Sequence, residues 1–475
     1  MKSSQRARLA LLLLFLPPCS ARALSLSEFQ EKMRKHVGDL SGKTTAAVQV
    51  EVLGSGQVVF SHNGDGKLIP ASDAKLITAL VALEKLGSGF TFETKVFREG
   101  GDLVLVGNGD PYLVSERLWL LARKVARSGI KQVGSIRIAN GAFSETYRGL
   151  AEFEDSGEPF TAQVTPTALN FNSVEIHVIP GTGGKPRLEA GPLPNGYVVL
   201  KNEVSQNGGS GKNISVKPLG ASGGKESFLV SGSIGRKSEP VIVYGTAGDP
   251  DAHIASAFAA LLRKEGVAVA KDFGGALSLT PTGEMVAKLE SPPLQDLVRL
   301  FNAYSNNFMA EAVFQAMGAE AGSAASLAKS RQLVADFLRR HPACSGSTIT
   351  NGSGLSWDTR ISPRCFTETM QFAYRDFQSF ADLLSSLPGG GQAGTLRNRF
   401  KRVGSEFSEL KVRGKTGTLW SKQVVTSLTG VTTAGSGEKI LFSLIENDER
   451  TDPALLRGLK DWEDKCVELV QQLRI

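Results

Sequence analysis

The sequence predicts an α+β protein, and three observations predict it. Strand-period alternation occurs near both ends of the chain: at Thr44–Leu53, with a return at Val58-Val59-Phe60, and at Leu410–Leu419, Val424–Val431 and Lys439–Ile445. Between the two ends, apolar residues recur at helical spacing over several long stretches. The middle of the chain then changes texture twice, into an α/β segment and into a β-rich one. At 475 residues the length corresponds to about two or three domains rather than one core.

The elements follow in order. Ser25–Val37 reads as a helix capped by Ser25 or Ser27. Ala46, Val48, Val50 and Val52 form one face of a strand, and Gly54-Ser55-Gly56 turns it into its hairpin partner. Pro70 to Leu80 opens a helix, because a proline just ahead of the first turn forfeits no helical hydrogen bond. Leu76, Ile77, Leu80, Val81 and Leu83 bury that helix, and Leu86-Gly87 ends it. Strands at Thr94–Phe97 and Leu103–Val106, a helix over Ser115–Gly129 and a strand at Ser135–Ile138 make the α/β unit. Asn108 and Asp110, in the turn between, are explained by tight-turn chemistry. Residues 164–245 hold short β runs (Ser173–Val178, Gly196–Leu200, Ser227–Ser231) separated by glycine-rich loops, which predicts a small all-β insertion. Helices return at Asp251–Gly266 and Leu294–Asn302, after Tyr304-Ser305-Asn306-Asn307 through Met317, at Ala324–Leu338, as one or two over Thr367–Leu384, and at Ala454–Leu473, and Asn351–Ser356 is a turn-rich loop.

Charge and cysteines limit the function classes. The net charge of +7 is modest for this length, and no basic run or nucleic-acid motif is present. Lys2, Arg6 and Arg8 precede the apolar run Leu9–Leu16, and Ala21-Arg22-Ala23 offers small residues for cleavage. This predicts a signal peptide over 1–23 and a protein soluble outside the cytoplasm, in the periplasm. Cys19, after two prolines, is a poor lipid-attachment site. Cys344 and Cys365 flank a turn-rich segment and could pair; Cys466, in an amphipathic helix, is expected to be buried and free. No metal-ligand spacing occurs, so no metal or organic cofactor is expected.

Three polar groups carry the candidate chemistry. Ser72 and Lys75 lie one turn apart, and a desolvated lysine loses its charge and can take a serine proton. Ser-x-x-Lys also occurs at Ser128, Ser222, Ser326, Ser408 and Ser436, so the spacing alone assigns nothing. Ser305 and Asn307 sit in a short link between two helices. Gly414-Lys415-Thr416-Gly417-Thr418 sits on a strand, where lysine and threonine offer donors to an anion and glycine permits a close approach.

In this order and context the sequence resembles the serine D-alanyl-D-alanine carboxypeptidase/endopeptidase family of penicillin-binding proteins, of the DacB type. The turn Leu105–Pro111, the loop Asn351–Ser356 before Ser362-Pro363, and Leu387-Pro388 with Gly394–Arg399 carry the resemblance further; it spans most of the chain beyond the leader. One departure is Asn306, where Asp is commoner. The resemblance implies a penicilloyl-serine transferase (β-lactamase-like) domain, an antiparallel sheet flanked by helices, made of residues 24–88 and 288–475. It also implies an inserted α/β domain (89–163 and 246–287) and a nested all-β domain (164–245). It implies Ser72 as nucleophile, Lys75 as general base, Ser305 as proton relay, and Asn307, Lys415, Thr416, Gly417 and Thr418 as substrate-binding groups. The N–H groups of Ser72 and Thr418 would form the oxyanion hole. The implied substrate is a peptidoglycan stem peptide ending in D-Ala-D-Ala, with β-lactams as covalent inhibitors and self-association into a homodimer. The competing expectations are a β-lactamase or esterase on the same fold, and a non-catalytic wall-binding scaffold.

Overall fold

The computed structural model describes residues 23–145, 147, 158–191, 196–222, 224–278, 281–320, 323–400 and 411–475. The expected leader and its Cys19 lie outside the described residues, except for Ala23 at the expected cleavage point.

Helix α1 (Leu26–Gly38) precedes the hairpin β1 (Thr44–Val52) and β2 (Val58–His62). A 3-10 turn, Ala71–Ala74, runs into α2 (Lys75–Leu86). Next come β3 (Glu93–Glu99), β4 (Asp102–Gly107), α3 (Ser115–Arg127) and β5 (Gln132–Ala139). Then follow β6 (Ser173–Ile179), β7 (Arg187–Gly191), β8 (Val198–Asn207), β9 (Lys212–Ser222), β10 (Lys225–Gly235) and β11 (Val241–Thr246). Helix α4 (Pro250–Lys264), β12 (Ala268–Leu277) and β13 (Glu284–Glu290) lead to five helices: α5 (Leu294–Tyr304), α6 (Asn307–Ala316), α7 (Leu327–Arg339), α8 (Pro363–Tyr374) and α9 (Phe377–Ser386). The chain ends in β14 (Arg413–Leu419), β15 (Val424–Thr433), β16 (Lys439–Asp448) and α10 (Leu455–Gln472).

The two ends of the chain make one sheet, in the order β14-β15-β16-β1-β2. All its pairings are antiparallel, and β1 meets β16 with Val48 opposite Leu444. Both faces are covered, because the period of two sends alternate apolar residues to opposite sides. Leu441 and Ile445 pack with α2, α5, α6 and α8; Ile440, Phe442 and Leu444 pack with Phe29 and Met33 of α1 and Trp462, Cys466 and Val467 of α10. This is a helix–sheet–helix sandwich, as an α+β chain with strands at both ends requires.

A second sheet runs β12-β5-β4-β3-β13, with β4 and β5 parallel across helix α3, which is the α/β unit read from the sequence. Two three-stranded sheets, β8-β10-β9 and β11-β6-β7, share a small core around Phe228, Val230 and Ile176. Several strands exceed the sequence reading. In β9 no side chain is fully buried, and its apolar alternation is short, with Ile214 and Val216 half-buried between exposed neighbours. In β12 the register slips between Lys271 and Gly275, which breaks the period. The inserted region packs on the helical core: Phe92, Phe143, Ala162, Val164 and Ala168 belong to it, and Phe171 meets Phe308 of α6 edge-on, with ring centroids 6.1 Å apart.

Two local readings change. Ser72 lies in the 3-10 turn, ahead of the α-helix rather than inside it. The helix expected from Ala324 starts at Leu327, because the Ser326 hydroxyl caps it by accepting the Lys329 N–H at 3.2 Å. That second Ser-x-x-Lys is therefore a helix cap.

Cys344 and Cys365 are disulfide-bonded, and Cys466 is free and buried. The bridge closes a segment of sequence separation 21 that includes the Asn351–Ser356 loop. Constraint of the unfolded chain by a loop of this length contributes about 3 kcal/mol. A Cys344→Ser/Cys365→Ser variant is expected to lose roughly that amount in reversible denaturant unfolding, and an unchanged midpoint would refute the assignment.

Candidate active site

The three motifs converge on one place. The segment before Ser72 is locked to the sheet: Ile69 N–H donates to Asn447 Oδ1 at 2.9 Å, Asn447 Nδ2 donates to Ile69 O at 3.0 Å, and Ser427 Oγ donates to Pro70 O at 2.7 Å. A Cβ on Gly417 would collide with that Pro70 carbonyl and with the Ser427 hydroxyl. The glycine of Lys-Thr-Gly thus admits a close approach, and what approaches is the protein's own chain beside the nucleophile. Ala71 is forced to a φ of +46°, a left-handed conformation that costs an alanine roughly 1–2 kcal/mol. Its carbonyl bears on Gly354, whose own φ of +73° and missing side chain accommodate it.

Ser305 is the second left-handed residue, at φ +54°, and it ends α5. The next residue, Asn306, starts α6 by accepting the Met309 N–H at 2.9 Å. Asn and Asp are equally good N-caps, so the departure at this middle position leaves the turn intact. This tight link presents Ser305 and Asn307 towards the 3-10 turn.

Lys75 is completely buried. Its Nζ lies 2.8 Å from Ser72 Oγ, 2.8 Å from Asn307 Oδ1 and 2.7 Å from the Ser353 carbonyl. Burial pushes its ammonium well below the ordinary lysine range, and the neighbouring Lys415 charge pushes the same way. A neutral amine has two N–H donors and one lone pair. Asn307 Oδ1 and Ser353 O can take the two donors, which leaves the lone pair facing the Ser72 hydroxyl. The carbonyl of Ser353 is itself held: Glu311 of α6, buried, accepts the N–H groups of Ser353 at 2.8 Å and Gly352 at 3.0 Å. Burial raises the Glu311 carboxyl, against the pull of those hydrogen bonds. Thr78 Oγ1 adds a hydrogen bond to Gly352 O at 2.8 Å.

Lys415 is equally buried, and its Nζ donates to Ser305 Oγ at 3.0 Å and to Thr416 O at 2.6 Å. Burial lowers its pKa, while the Asp73 carboxylate opposes the shift. Thr416 Oγ1 donates to Thr395 Oγ1 at 2.7 Å, and Thr418 Oγ1 to the Gly417 carbonyl at 2.7 Å. Ser72, Ser305, Asn307 and Thr418 keep part of their surface, while both amines have none. The hydroxyls are reachable and the bases are dry.

The structure therefore brings together Ser72, Lys75, Ser305, Asn307 and Lys415 and sets Thr416, Gly417 and Thr418 along the adjoining strand edge. Sequence reasoning did not include Ser353, Glu311, Thr78, Asp73 and Thr395. Ser353 acts through a backbone carbonyl, which no side-chain motif announces. Glu311 is legible only as a carboxylate on the apolar helix α6, four residues after Asn307 and so on the same face.

Known proteins resemble this chain in sequence and in fold. Residues 29–466 match the D-Ala-D-Ala carboxypeptidase 3 (S13) family. The D-alanyl-D-alanine carboxypeptidase of Actinomadura sp. (strain R39) is 29% identical over 456 residues, 90% of this chain and 82% of that protein. The D-alanyl-D-alanine carboxypeptidase DacB of Haemophilus influenzae is 25% identical over 437 residues, 86% of this chain and 87% of the relative. The crystal structure of penicillin binding protein 4 (dacB) from Haemophilus influenzae superposes with a TM-score of 0.75 at 22% identity, covering 94% of this chain and 99% of the other, and so shares the fold. The chain belongs to the D-Ala-D-Ala carboxypeptidase 3 (S13) peptidase family and is a serine-type hydrolase of the penicilloyl-serine transferase fold.

Proposed function

We propose that the protein is a penicillin-binding serine D-Ala-D-Ala carboxypeptidase that also cuts DD-cross-links, acting on peptidoglycan stem peptides through an acyl-serine. The observation that carries this is the buried Lys75 amine, 2.8 Å from Ser72 Oγ and with both its N–H groups provided for.

Lys415 meets the terminal carboxylate of the substrate, with Thr416 and Thr418 beside it on β14. Asn307 holds the substrate amide as well as Lys75. Ser72 Oγ attacks the penultimate carbonyl and passes its proton to Lys75 Nζ. The oxyanion is stabilised by the N–H groups of Ser72 and Thr418. The C–N bond breaks, and the proton that Lys75 took passes through the Ser305 hydroxyl, which Lys415 Nζ holds at 3.0 Å, to the leaving amine, so that Lys75 is neutral again. Water then attacks the acyl carbonyl, Lys75 takes its proton, and Ser72 is released. If the leaving amine is free D-Ala the enzyme is a carboxypeptidase; if it belongs to a second stem peptide, an endopeptidase. A β-lactam offers the same carbonyl and carboxylate and stays attached.

Residues 24–88 and 288–475 form the catalytic domain in this reading, 89–163 with 246–287 the inserted α/β domain, and 164–245 the nested all-β domain. The separate cores around Phe258 and around Phe228 support that division. We place the mature protein in the periplasm. The leader-like N-terminus and the Cys344–Cys365 disulfide, which needs an oxidising compartment, support export. Among the described residues no helix is long and apolar enough to cross a membrane.

Purified cross-linked muropeptides test the proposal. The wild type is expected to release D-Ala and monomers, and Ser72→Ala to lose at least about 10³-fold in rate together with labelling by a fluorescent penicillin. Retained labelling of Ser72→Ala would end the assignment. The dependence of kcat/KM on pH is expected to be bell-shaped. Activity rises as Lys75 becomes neutral, well below the ordinary lysine range, and falls as Lys415 loses its charge, also below that range of about 10.4. A profile still rising at about pH 10 would place a normal lysine at the base position.

A further inference from the structure

The residue directly after the nucleophile has no part in the mechanism above. Asp73 is completely buried, and neither carboxyl oxygen makes a hydrogen bond among the described residues. Burying a carboxyl without a partner is costly, so a group kept there calls for an explanation. Its surroundings supply one. The 3-10 turn packs on β14, which carries Lys415, and on β15, which carries Ser427 and Thr429, and the Lys415 charge and those two hydroxyls act on the Asp73 carboxyl. Ser427 Oγ is engaged elsewhere, donating to Pro70 O at 2.7 Å, and Thr429 Oγ1 shares a hydrogen bond of 2.8 Å with Ser443 Oγ in which either hydroxyl can donate. Lys415 has three N–H donors, two of them committed to Ser305 Oγ and Thr416 O.

We propose that Asp73 is a positioning residue, the buried counter-charge that keeps Lys415 an ammonium and so able to bind the substrate carboxylate. This rests on the reading of Lys415 given above. A lone ammonium in so dry a site would shed its proton, and a carboxylate nearby opposes that loss. Burial raises the Asp73 carboxyl and lowers the Lys415 ammonium, and each group resists the other's shift. The remaining charges nearby are Lys75, the first residue of α2, on which Glu311 of α6 also acts, and Glu463 of α10. The two lysines differ in their partners: both are buried, Lys75 has Asn307 and Ser353 as neutral acceptors with Glu311 and Asp73 acting on it, and Asp73 acts on Lys415.

The test compares acylation rates for a penicillin and for its methyl ester, which lacks the carboxylate. Rates are read from about pH 6 to about pH 10 and normalised to molecules that a β-lactam can titrate. In Asp73→Asn the alkaline limb for the free acid is expected to move down by about one pH unit, with no shift for the ester. An alkaline limb unchanged from wild type would overturn the proposal. Asp73→Ser is the second variant; if neither variant yields titratable protein, the carboxyl is a folding element and the proposal falls. Lys415→Ala separates the two levels. If it leaves the acid-to-ester rate ratio unchanged, the carboxylate reading of Lys415 has failed; if it abolishes the ratio while Asp73→Asn behaves as wild type, only the role of Asp73 has.

Discussion

The structure is organised around an amine that has no water. Lys75 Nζ sits in a fully buried pocket of three oxygens, from Ser72, Asn307 and Ser353, each within 2.8 Å. An ammonium there would give up its hydration for neutral acceptors and a carboxylate one shell away; a neutral amine fits the same three atoms at far lower cost. The chain brings each acceptor from a different element, so the pocket exists only when the 3-10 turn, the α5–α6 link and the 351–356 loop are in place together. Glu311 serves this closure. It does not touch Lys75, but it fixes the two N–H groups that aim the Ser353 carbonyl.

The scaffold accepts local strain to achieve this. Ala71 and Ser305, both left-handed, flank the chemistry from two sides. Each would relax if the neighbouring backbone retreated, and each is held by contacts that cannot: Asn447 and Ser427 grip the residues before Ala71, and Asn306 anchors the helix after Ser305. Gly417 and Gly354 are the complementary half of the device. They supply the empty space into which the strained backbone fits. The sheet built from the two chain ends is what makes the device rigid, since β14 carries Lys415 and pairs with β15, which carries Ser427.

Much of this was legible in the sequence. The strands at either end, the buried helix after Ser72 and the α/β unit all follow from period and turn residues, and the chemistry-bearing serines and lysines follow from their order and local context. What was not legible depends on backbone and on distance. The carbonyl of Ser353 is an acceptor that no residue type signals. Glu311 and Asp73 look like ordinary acidic residues on helices until three-dimensional packing removes their water. The strands β9 and β12 failed to register because one buries no full side chain and the other carries a bulge at its glycines. The glycine of Lys-Thr-Gly signals a close approach but not its occupant, which is the Pro70 carbonyl.

The protonation state of Lys75 is the claim on which the rest depends, and it can be observed without turnover. Lysine labelled with ¹³C at Cε gives each side chain a signal that shifts when its amine loses a proton, and Lys75→Arg identifies the signal in question. The account predicts a Lys75 resonance already in the neutral position at pH 7, titrating well below the surface lysines. A Lys75 signal that stays in the ammonium position and titrates with them, near pH 10.4 on the ordinary scale, would contradict it.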